Sequence, residues 1–129
     1  MISITHIALY CSDLEKMRSF YEYYFEAKSN EKYVNEKKGF ESYFLSFESG
    51  AALELMTKTG IVKANEERKE FLGFTHFACS VGSEEMVNKL TEKLRKDGFE
   101  IAGECRWTGD GFYESIVLDP EGNRIEITV

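Results

Sequence analysis

The chain has 129 residues, of which 43% are hydrophobic and 14% aromatic, and its formal net charge at pH 7 is −7. This length and composition predict one packed globular domain and exclude an intrinsically disordered chain. The acidic balance disfavours nucleic acid as a partner. No apolar run reaches the roughly 18 residues of a membrane span, and the N-terminus lacks a basic segment followed by an apolar one, so we expect no membrane partner and a cytoplasmic protein.

The number and spacing of the cysteines also favour a cytoplasmic protein. Cys11, Cys79 and Cys105 are an odd number without CxxC spacing, which predicts reduced thiols rather than a disulfide framework. Cys79 lies in an apolar strand pattern and is predicted to be buried, whereas the pattern allows Cys11 and Cys105 to be exposed.

The first half of the chain reads as one strand, one helix and three further strands. Residues 2–9 are rich in β-formers, and their alternation places His6 on one face of the first strand. The tetrapeptide Ser12-Asp13-Leu14-Glu15 is typical of a capping box, so it predicts the start of the helix. The apolar positions of that helix, at helical spacing, are Leu14, Met17, Tyr21 and Tyr24. The three further strands are predicted near residues 31–35, 40–47 and 51–57.

The second half repeats this order after a polar linker. We interpret residues 58–73 as that linker, with one short helix at residues 64–71, between module 1–57 and module 74–129. Ser83 is predicted to cap the second helix, and Gly98 stands where a glycine commonly ends one. The inward positions of this helix are predicted to be Met86, Val87, Leu90 and Leu94. The strands are predicted near residues 75–81, 99–106, 112–118 and 124–129.

One pattern occurs twice in the chain. Thr5-His6-Ile7-Ala8 returns as Thr75-His76-Phe77-Ala78, and Glu54 returns as Glu126. Between them, Glu41-Ser42-Tyr43-Phe44-Leu45 aligns with Glu114-Ser115-Ile116-Val117-Leu118, and Gly50 aligns with Gly122. A repeat of about 70 residues is too long for a solenoid unit and predicts duplication of a half-domain. We therefore expect an α+β fold of two tandem βαβββ modules, which form a curved mixed sheet with the helices outside.

The repeat carries both histidines of the chain and one strand-centred glutamate in each half. Residues two apart in a strand share a face, so Glu54 lies opposite its apolar neighbours, and so does Glu126. Both glutamates should face away from the helices and meet a histidine on the concave face. Two imidazoles and two carboxylates suit a divalent ion such as Zn²⁺, Ni²⁺, Co²⁺, Mn²⁺ or Fe²⁺. Two alternatives stay open: pairing of Glu126 with Arg124, and a degenerate duplication that binds no metal.

The order His6, Glu54, His76, Glu126 within a doubled βαβββ pattern resembles the vicinal oxygen chelate superfamily. This group contains glyoxalase I, extradiol dioxygenases, fosfomycin-resistance transferases, methylmalonyl-CoA epimerase and bleomycin-binding proteins. The segment Leu118-Asp119-Pro120-Glu121-Gly122-Asn123-Arg124-Ile125-Glu126 is similar to the family's terminal D-P-[DE]-G-x-x-[IL]-E signature. The resemblance covers essentially the whole chain.

Within that family the carboxylate at Glu54 is typical of glyoxalase I, or lactoylglutathione lyase. The resemblance implies one divalent metal ion, foremost Ni or Zn, held by His6, Glu54, His76 and Glu126. It implies a substrate made from a 2-oxoaldehyde such as methylglyoxal and a thiol. Glu126 is then the catalytic base, and Glu54 serves as a ligand and acts on the opposite face of the substrate.

Other residues could bind the substrate. Tyr10, Met56 and Trp107 could wall the pocket or simply pack, and Arg106 could hold a substrate carboxylate or pair with an acid. The family's glutathione enzymes usually have arginine where this chain has Tyr10 and asparagine where it has Lys58, so the identity of the thiol stays open. The alternatives are an epimerase, a dioxygenase, a thiol transferase or a metal-free antibiotic-binding protein. We expect a homodimer, with each site either within one chain or across two.

Overall fold

The computed structural model describes residues 1–63, 70 and 72–129. It separates into two compact units, Met1–Glu66 (unit 1) and Glu67–Val129 (unit 2). The short helix predicted for residues 64–71 falls, apart from Glu70, outside the described residues. In the described ranges, no helix has both the length and the apolar character needed to cross a membrane.

Unit 1 is a mixed sheet with one helix packed on β4 and β5. Its elements are β1 (His6–Tyr10), α1 (Leu14–Phe25), β2 (Lys28–Ser29), β3 (Tyr33–Asn35), a 3₁₀ turn (Glu36–Lys38), β4 (Phe40–Ser46) and β5 (Ala52–Lys58). The strand order is β1-β5-β4-β2, and β3 also pairs with β4. The first strand of the unit therefore lies beside its last. These two strands are parallel, whereas the other pairs are antiparallel.

Unit 2 repeats the same topology. Its elements are β6 (His76–Ser80), α2 (Glu84–Lys96), β7 (Ile101–Trp107), β8 (Tyr113–Leu118) and β9 (Arg124–Thr128). The strand order is β6-β9-β8-β7, with β6 parallel to β9. The predicted α+β fold of two βαβββ modules is therefore confirmed, with one mixed sheet in each unit and the short strand β2 as an addition.

Strand alternation explains where each core lies. Leu53 and Leu55 of β5 are buried, and so are Ile125 and Ile127 of β9 at the equivalent positions. These side chains face the helix that packs on their own sheet. Removing one such side chain from water stabilises the fold by roughly 1.5–3 kcal/mol. The polar residues between them are consequently directed to the other face of each sheet.

The N-cap of α1 differs from the prediction. The N-cap of α1 is Asp13, whose carboxylate accepts the Lys16 N–H at 3.0 Å, so the capping box predicted for Ser12 and Glu15 is wrong. The Glu15 carboxylate instead accepts the hydroxyl of the buried Tyr43 at 2.5 Å, because a buried phenol needs a hydrogen-bond partner. In α2 the prediction is confirmed, since Ser83 accepts the Met86 N–H at 3.2 Å.

The inward face of α2 also differs from the prediction. Val87 and Leu94 are buried, but Met86 is 45% exposed. Thr91 is fully buried beside them, where its hydroxyl donates to the Val87 carbonyl at 2.6 Å and lies 2.7 Å from the Ser115 hydroxyl. A hydrophobicity pattern does not identify such a residue, because its polarity is satisfied only by a partner from another element.

The three cysteines lie in the described part of the chain, and none of them forms a disulfide there. Cys11 is buried, although the sequence pattern allowed it to be exposed. Cys79 is largely enclosed, and burial raises the pKa of its thiol to about 11. A thiol with so high a pKa is almost entirely protonated at neutral pH.

Candidate functional site

In unit 1, His6 and Glu54 lie on the same face of two paired strands. The parallel register sets His6 beside Ala52 and Ala8 beside Glu54, so the two candidate ligands are diagonal neighbours. Glu54 also lies opposite Phe44 of β4, and the His6 ring meets the Phe44 ring edge-on at 5.3 Å. Since Leu53 and Leu55 point into the core, this face is turned away from α1, which is the orientation that alternation predicts.

In unit 2 the register is identical. His76 lies beside Arg124, and Ala78 lies beside Glu126. The His76 Nε2 and Glu126 Oε1 atoms are 3.1 Å apart, and 39% and 19% of the two side chains remain exposed. The pair is therefore close enough to act on one ion or substrate while staying accessible to it.

Each histidine is held by the threonine immediately before it. Thr5 Oγ1 lies 3.0 Å from His6 Nδ1, and Thr75 Oγ1 lies 2.8 Å from His76 Nδ1. In the tautomer that carries its proton on Nδ1, the ring donates to the hydroxyl oxygen and Nε2 keeps its lone pair free for a metal. The sequence interpretation gave the threonines no role, although their signal was present in the repeated Thr-His pair.

The donor set fits a divalent metal. Within either unit, the described residues contain no group of three or more His, Cys, Asp or Glu side chains placed to hold an ion, so each unit offers one His–Glu pair. Metal bonds to imidazole nitrogen and carboxylate oxygen are about 2.1 Å long, so two such ligands at right angles are about 3.0 Å apart. The 3.1 Å between His76 Nε2 and Glu126 Oε1 is a hydrogen-bond distance, and it is also compatible with that spacing.

Glu114 is a residue that sequence reasoning missed. It is only 6% exposed, yet it lies on the same face as Glu126, because the β8–β9 register sets Ile116 opposite Glu126 and Glu114 opposite Thr128. Burial and the neighbouring Glu126 carboxylate raise the pKa of Glu114 above its usual range, while the Arg106 guanidinium opposes the shift. The sequence signal was a glutamate inside the strand predicted near residues 112–118.

The strand register also corrects the repeat alignment. The sequence comparison matched Glu41 with Glu114, but Glu41 lies opposite Thr57 while Glu114 lies opposite Thr128. Since Thr128 follows Glu126 by two residues and Thr57 follows Glu54 by three, Ser42 is the structural equivalent of Glu114. Unit 1 therefore has no carboxylate at the Glu114 position.

Arg106 and Trp107 extend to opposite faces of β7. Arg106 lies opposite Glu114; its guanidinium is 3.8 Å from the Glu114 carboxylate and donates to the Glu114 backbone carbonyl at 3.3 Å. Of the two roles open to Arg106, pairing with an acid is the one observed. Trp107 packs on Tyr113, whose hydroxyl donates to Asn88 of α2, so Trp107 lies on the helix side of the sheet. Contact of either residue with substrate stays a prediction.

Tyr10 and Met56 lie on the face of the unit 1 sheet that carries His6 and Glu54, which we call the ligand face of unit 1. They are register partners at the end of β1, two residues beyond the level of Ala8 and Glu54. Tyr10 is 48% exposed, and the Lys58 ammonium lies 5.7 Å from the centre of its ring. Contact of Tyr10 and Met56 with substrate stays a prediction, and both side chains are on the face that such contact requires.

The chain belongs to the Glyoxalase/Bleomycin resistance protein/Dioxygenase superfamily, whose family model matches residues 3–127. YwkD, an uncharacterized protein of Bacillus subtilis, is 31% identical over 98 residues, which cover 76% of this chain and 73% of the relative. A possible glyoxalase from Bacillus cereus is similar in structure, with a TM-score of 0.71 and 26% identity over the whole of both chains. A glyoxalase I variant from Zea mays shares the fold, with a TM-score of 0.77 at 23% identity. That match covers 98% of this chain but only 44% of the maize chain.

Proposed function

We propose that the protein is a glyoxalase I-like, metal-dependent lyase. Its substrate would be the hemithioacetal of a 2-oxoaldehyde, such as methylglyoxal, with a thiol, and its product the 2-hydroxyacyl thioester. The observation that carries this proposal is the His–Glu pair that recurs in both units with the same strand register and the same Thr–His hydrogen bond. Superfamily membership supports it.

We infer that His6, Glu54, His76 and Glu126 together hold one divalent ion, foremost Ni or Zn. When bound, the ion would supply Lewis-acid stabilisation of the negative charge that develops on the two neighbouring substrate oxygens. Thr5 and Thr75 would orient the imidazoles by hydrogen bonds to Nδ1. Whether the two pairs meet within one chain or between two chains of a homodimer is part of the proposal to be tested.

Glu126 is the residue we assign to proton transfer. Its carboxylate would take the proton from C1, the carbon that carries the hydroxyl and the sulfur, and return it to C2. The C1 carbon is thereby oxidised to a thioester and the C2 ketone is reduced to an alcohol, so no external oxidant is needed. The side chain is 19% exposed, which leaves it room to approach a substrate. Glu54 would stay a ligand and act on the opposite face.

The presence of a carboxylate at Glu54 distinguishes this proposal from its alternatives. The resemblance associates a His/Glu/His/Glu set with glyoxalase I, three ligands with dioxygenases and transferases, and absence of the set with metal-free binding proteins. In this chain Glu54 lies in the same register as Glu126. The reduced thiols of the three cysteines also fit the cytoplasmic location that we propose.

Metal content of the purified, untagged protein is the decisive test. We expect stoichiometric divalent metal in the wild type and its loss in Glu54→Gln and His76→Ala, whereas Glu48→Gln, an exposed glutamate in the turn before β5, should retain it. A wild-type protein without stoichiometric metal would refute the enzyme proposal. With metal present, methylglyoxal is assayed with glutathione and with other thiols, and absence of thioester from all of them would favour another activity of the superfamily.

A further inference from the structure

Glu114 is a buried polar residue on the face of unit 2 that carries His76 and Glu126. Only 6% of Glu114 is exposed, whereas His76 and Glu126 remain accessible on the same face. The antiparallel register sets Glu114 opposite Thr128, two residues beyond Glu126, so the two glutamates are diagonal neighbours. The Glu114 carboxyl group is therefore adjacent to the residue that we assign to proton transfer.

The Arg106 guanidinium does not saturate this carboxyl group. Arg106 Nη2 is 3.8 Å from Glu114 Oε2, which is longer than a hydrogen bond, and Nη1 donates instead to the Glu114 backbone carbonyl at 3.3 Å. The Arg106 side chain is 43% exposed. A carboxyl group has two oxygens and offers an acceptor whether it is ionised or protonated, and a guanidinium has five N–H donors. Donors and acceptors thus lie side by side on a face that a ligand can reach.

The acid–guanidinium pair has no counterpart in unit 1. Ser42 is the structural equivalent of Glu114, and as the register partner of Met56 it lies on the ligand face of unit 1. The residue opposite Ser42 is Tyr33, whereas the residue opposite Glu114 is Arg106. The pair therefore stands outside the duplicated His–Glu arrangement and makes the two faces chemically different. Such a difference suits a substrate whose parts differ in polarity.

We propose that Glu114, together with Arg106, binds a hydroxyl group on the carbon next to the ketone of the substrate, so that the preferred 2-oxoaldehyde is hydroxylated at C3. The inference rests on the proposed function and names the substrate class of that site. A hydroxyl donates to a carboxyl oxygen and accepts from a guanidinium N–H, so it satisfies both groups at once. A methyl group at C3 would cover the two polar groups without a hydrogen bond, which weakens binding.

A binding experiment on the intact, metal-free protein tests the hydroxyl site without any chemistry. The probes are 1-(methylthio)propan-2-one and 1-hydroxy-3-(methylthio)propan-2-one, which differ by one hydroxyl group and are titrated by NMR. We expect the hydroxylated ketone to bind the wild type about tenfold more tightly, because hydrogen bonds to charged side chains are among the stronger ones. Equal Kd values of the two ketones, or no measurable binding of the hydroxylated one, would overturn the inference.

Three variants assign the preference to its residues. Glu114→Leu removes the acceptor and should abolish the preference, whereas Glu114→Gln keeps an acceptor oxygen and should retain most of it. Arg106→Met removes donors from a partly exposed side chain and should lower the preference about threefold. If Glu114→Leu does not fold, a wild-type preference in Arg106→Met overturns the inference.

The matched control is Glu104→Leu. Glu104 lies on β7, and its carboxylate is bound to Arg95 of α2, on the opposite side of the same sheet. This variant should keep the wild-type preference for the hydroxylated ketone. An equal loss of preference in Glu104→Leu and Glu114→Leu would show a general effect of removing a glutamate and would contradict the proposal.

Kinetics separate binding of the substrate from an effect on the base. Glu114 also shares a hydrogen bond with Glu126, so positioning of Glu126 is the competing explanation. Adducts of methylglyoxal and of 3-hydroxy-2-oxopropanal, each with glutathione and with 2-mercaptoethanol, are compared with the metal-loaded enzyme. We expect Glu114→Leu to lower kcat/KM about tenfold for the hydroxylated adducts alone. Equal losses for both kinds of adduct would mean that Glu114 acts on Glu126 rather than on the substrate.

The same measurements distinguish failure of this inference from failure of the proposed reaction. If no adduct yields thioester while the Glu114-dependent binding of the hydroxylated ketone persists, the reaction is wrong and the hydroxyl site stands. If thioester forms equally well from both kinds of adduct and Glu114→Leu leaves their ratio unchanged, the hydroxyl site is wrong and the reaction stands.

Discussion

At the scale of single residues, the candidate site depends on how each ligand is supported. Both histidines receive a hydrogen bond partner from the preceding threonine, at 3.0 Å and 2.8 Å. Glu126 instead has a second carboxyl group, Glu114, on its own face, and the Arg106 guanidinium lies 3.8 Å from Glu114. The face of unit 2 that carries His76 and Glu126 thus has more charged groups, whereas Phe44 and Tyr10 make the corresponding face of unit 1 more aromatic.

We expect Thr75→Val to weaken divalent metal binding by about 10- to 100-fold, because the hydrogen bond that orients His76 is removed while the side-chain shape is kept. Thr75→Ser retains the hydroxyl and should bind metal as the wild type does. The measurement is competition with a chelator at fixed pH. Unchanged affinity in Thr75→Val would mean that the Thr75–His76 contact has no part in metal binding.

Glu114→Gln should make the free energy of unfolding of the metal-free protein less sensitive to a rise in pH from 4 to 7. A carboxyl whose folded-state pKa is raised favours folding fully below its ordinary value of 4.5, and this contribution is lost as pH rises through the folded-state pKa. The neutral amide avoids that loss, so the stability of Glu114→Gln relative to wild type should increase from pH 4 to pH 7. Urea unfolding at several pH values measures this difference.

The control for this prediction is Glu104→Gln, which should show the opposite sign. Its hydrogen bond with Arg95 lowers the pKa of Glu104, so its contribution is present above the ordinary carboxyl pKa and is lost as pH falls. A pH-independent difference between Glu114→Gln and wild type would contradict the assignment of Glu114 as an unfavourably buried carboxylate.

At the scale of elements, the two parallel strand pairs position the candidate metal-binding residues. The pairs β1–β5 and β6–β9 have the same register, which places each histidine diagonally from its glutamate. The helices hold these strands from behind through residues such as Met17 of α1 and Val87 of α2, both fully buried. Loss of a helix end should therefore reduce stability without altering the two His–Glu pairs.

Asp13→Ala tests which residue caps α1. We expect the free energy of unfolding to fall by about 1 kcal/mol, because the Lys16 N–H loses its acceptor. Asp13→Asn keeps an acceptor oxygen and should stay close to wild type. Chemical denaturation of all three proteins gives the comparison, and an unchanged stability in Asp13→Ala would argue that Asp13 is not the cap.

At the scale of the whole molecule, each unit contains one His–Glu pair. Since we propose that one ion needs both pairs, we expect Glu54→Gln and Glu126→Gln each to lose metal and activity. Refolding the two variants together then tests whether a site is shared between chains. In a homodimer with shared sites, half of the mixed dimers' sites regain all four ligands, and a random mixture has about a quarter of the wild-type activity. Sites within single chains predict no recovery.

The sequence by itself determined the local features: the strand and helix order of both units apart from the short strand β2, the Ser83 cap, and the faces on which Glu54 and Glu126 lie. These depend on alternation and on short patterns that neighbouring residues contain. Only the tertiary structure decided the Asp13 cap, the buried Thr91, the register that equates Ser42 rather than Glu41 with Glu114, and the burial of Glu114 beside Glu126. Each of these is set by a partner on another element, so hydrogen bonds between strands and packing against helices decide what local spacing leaves open.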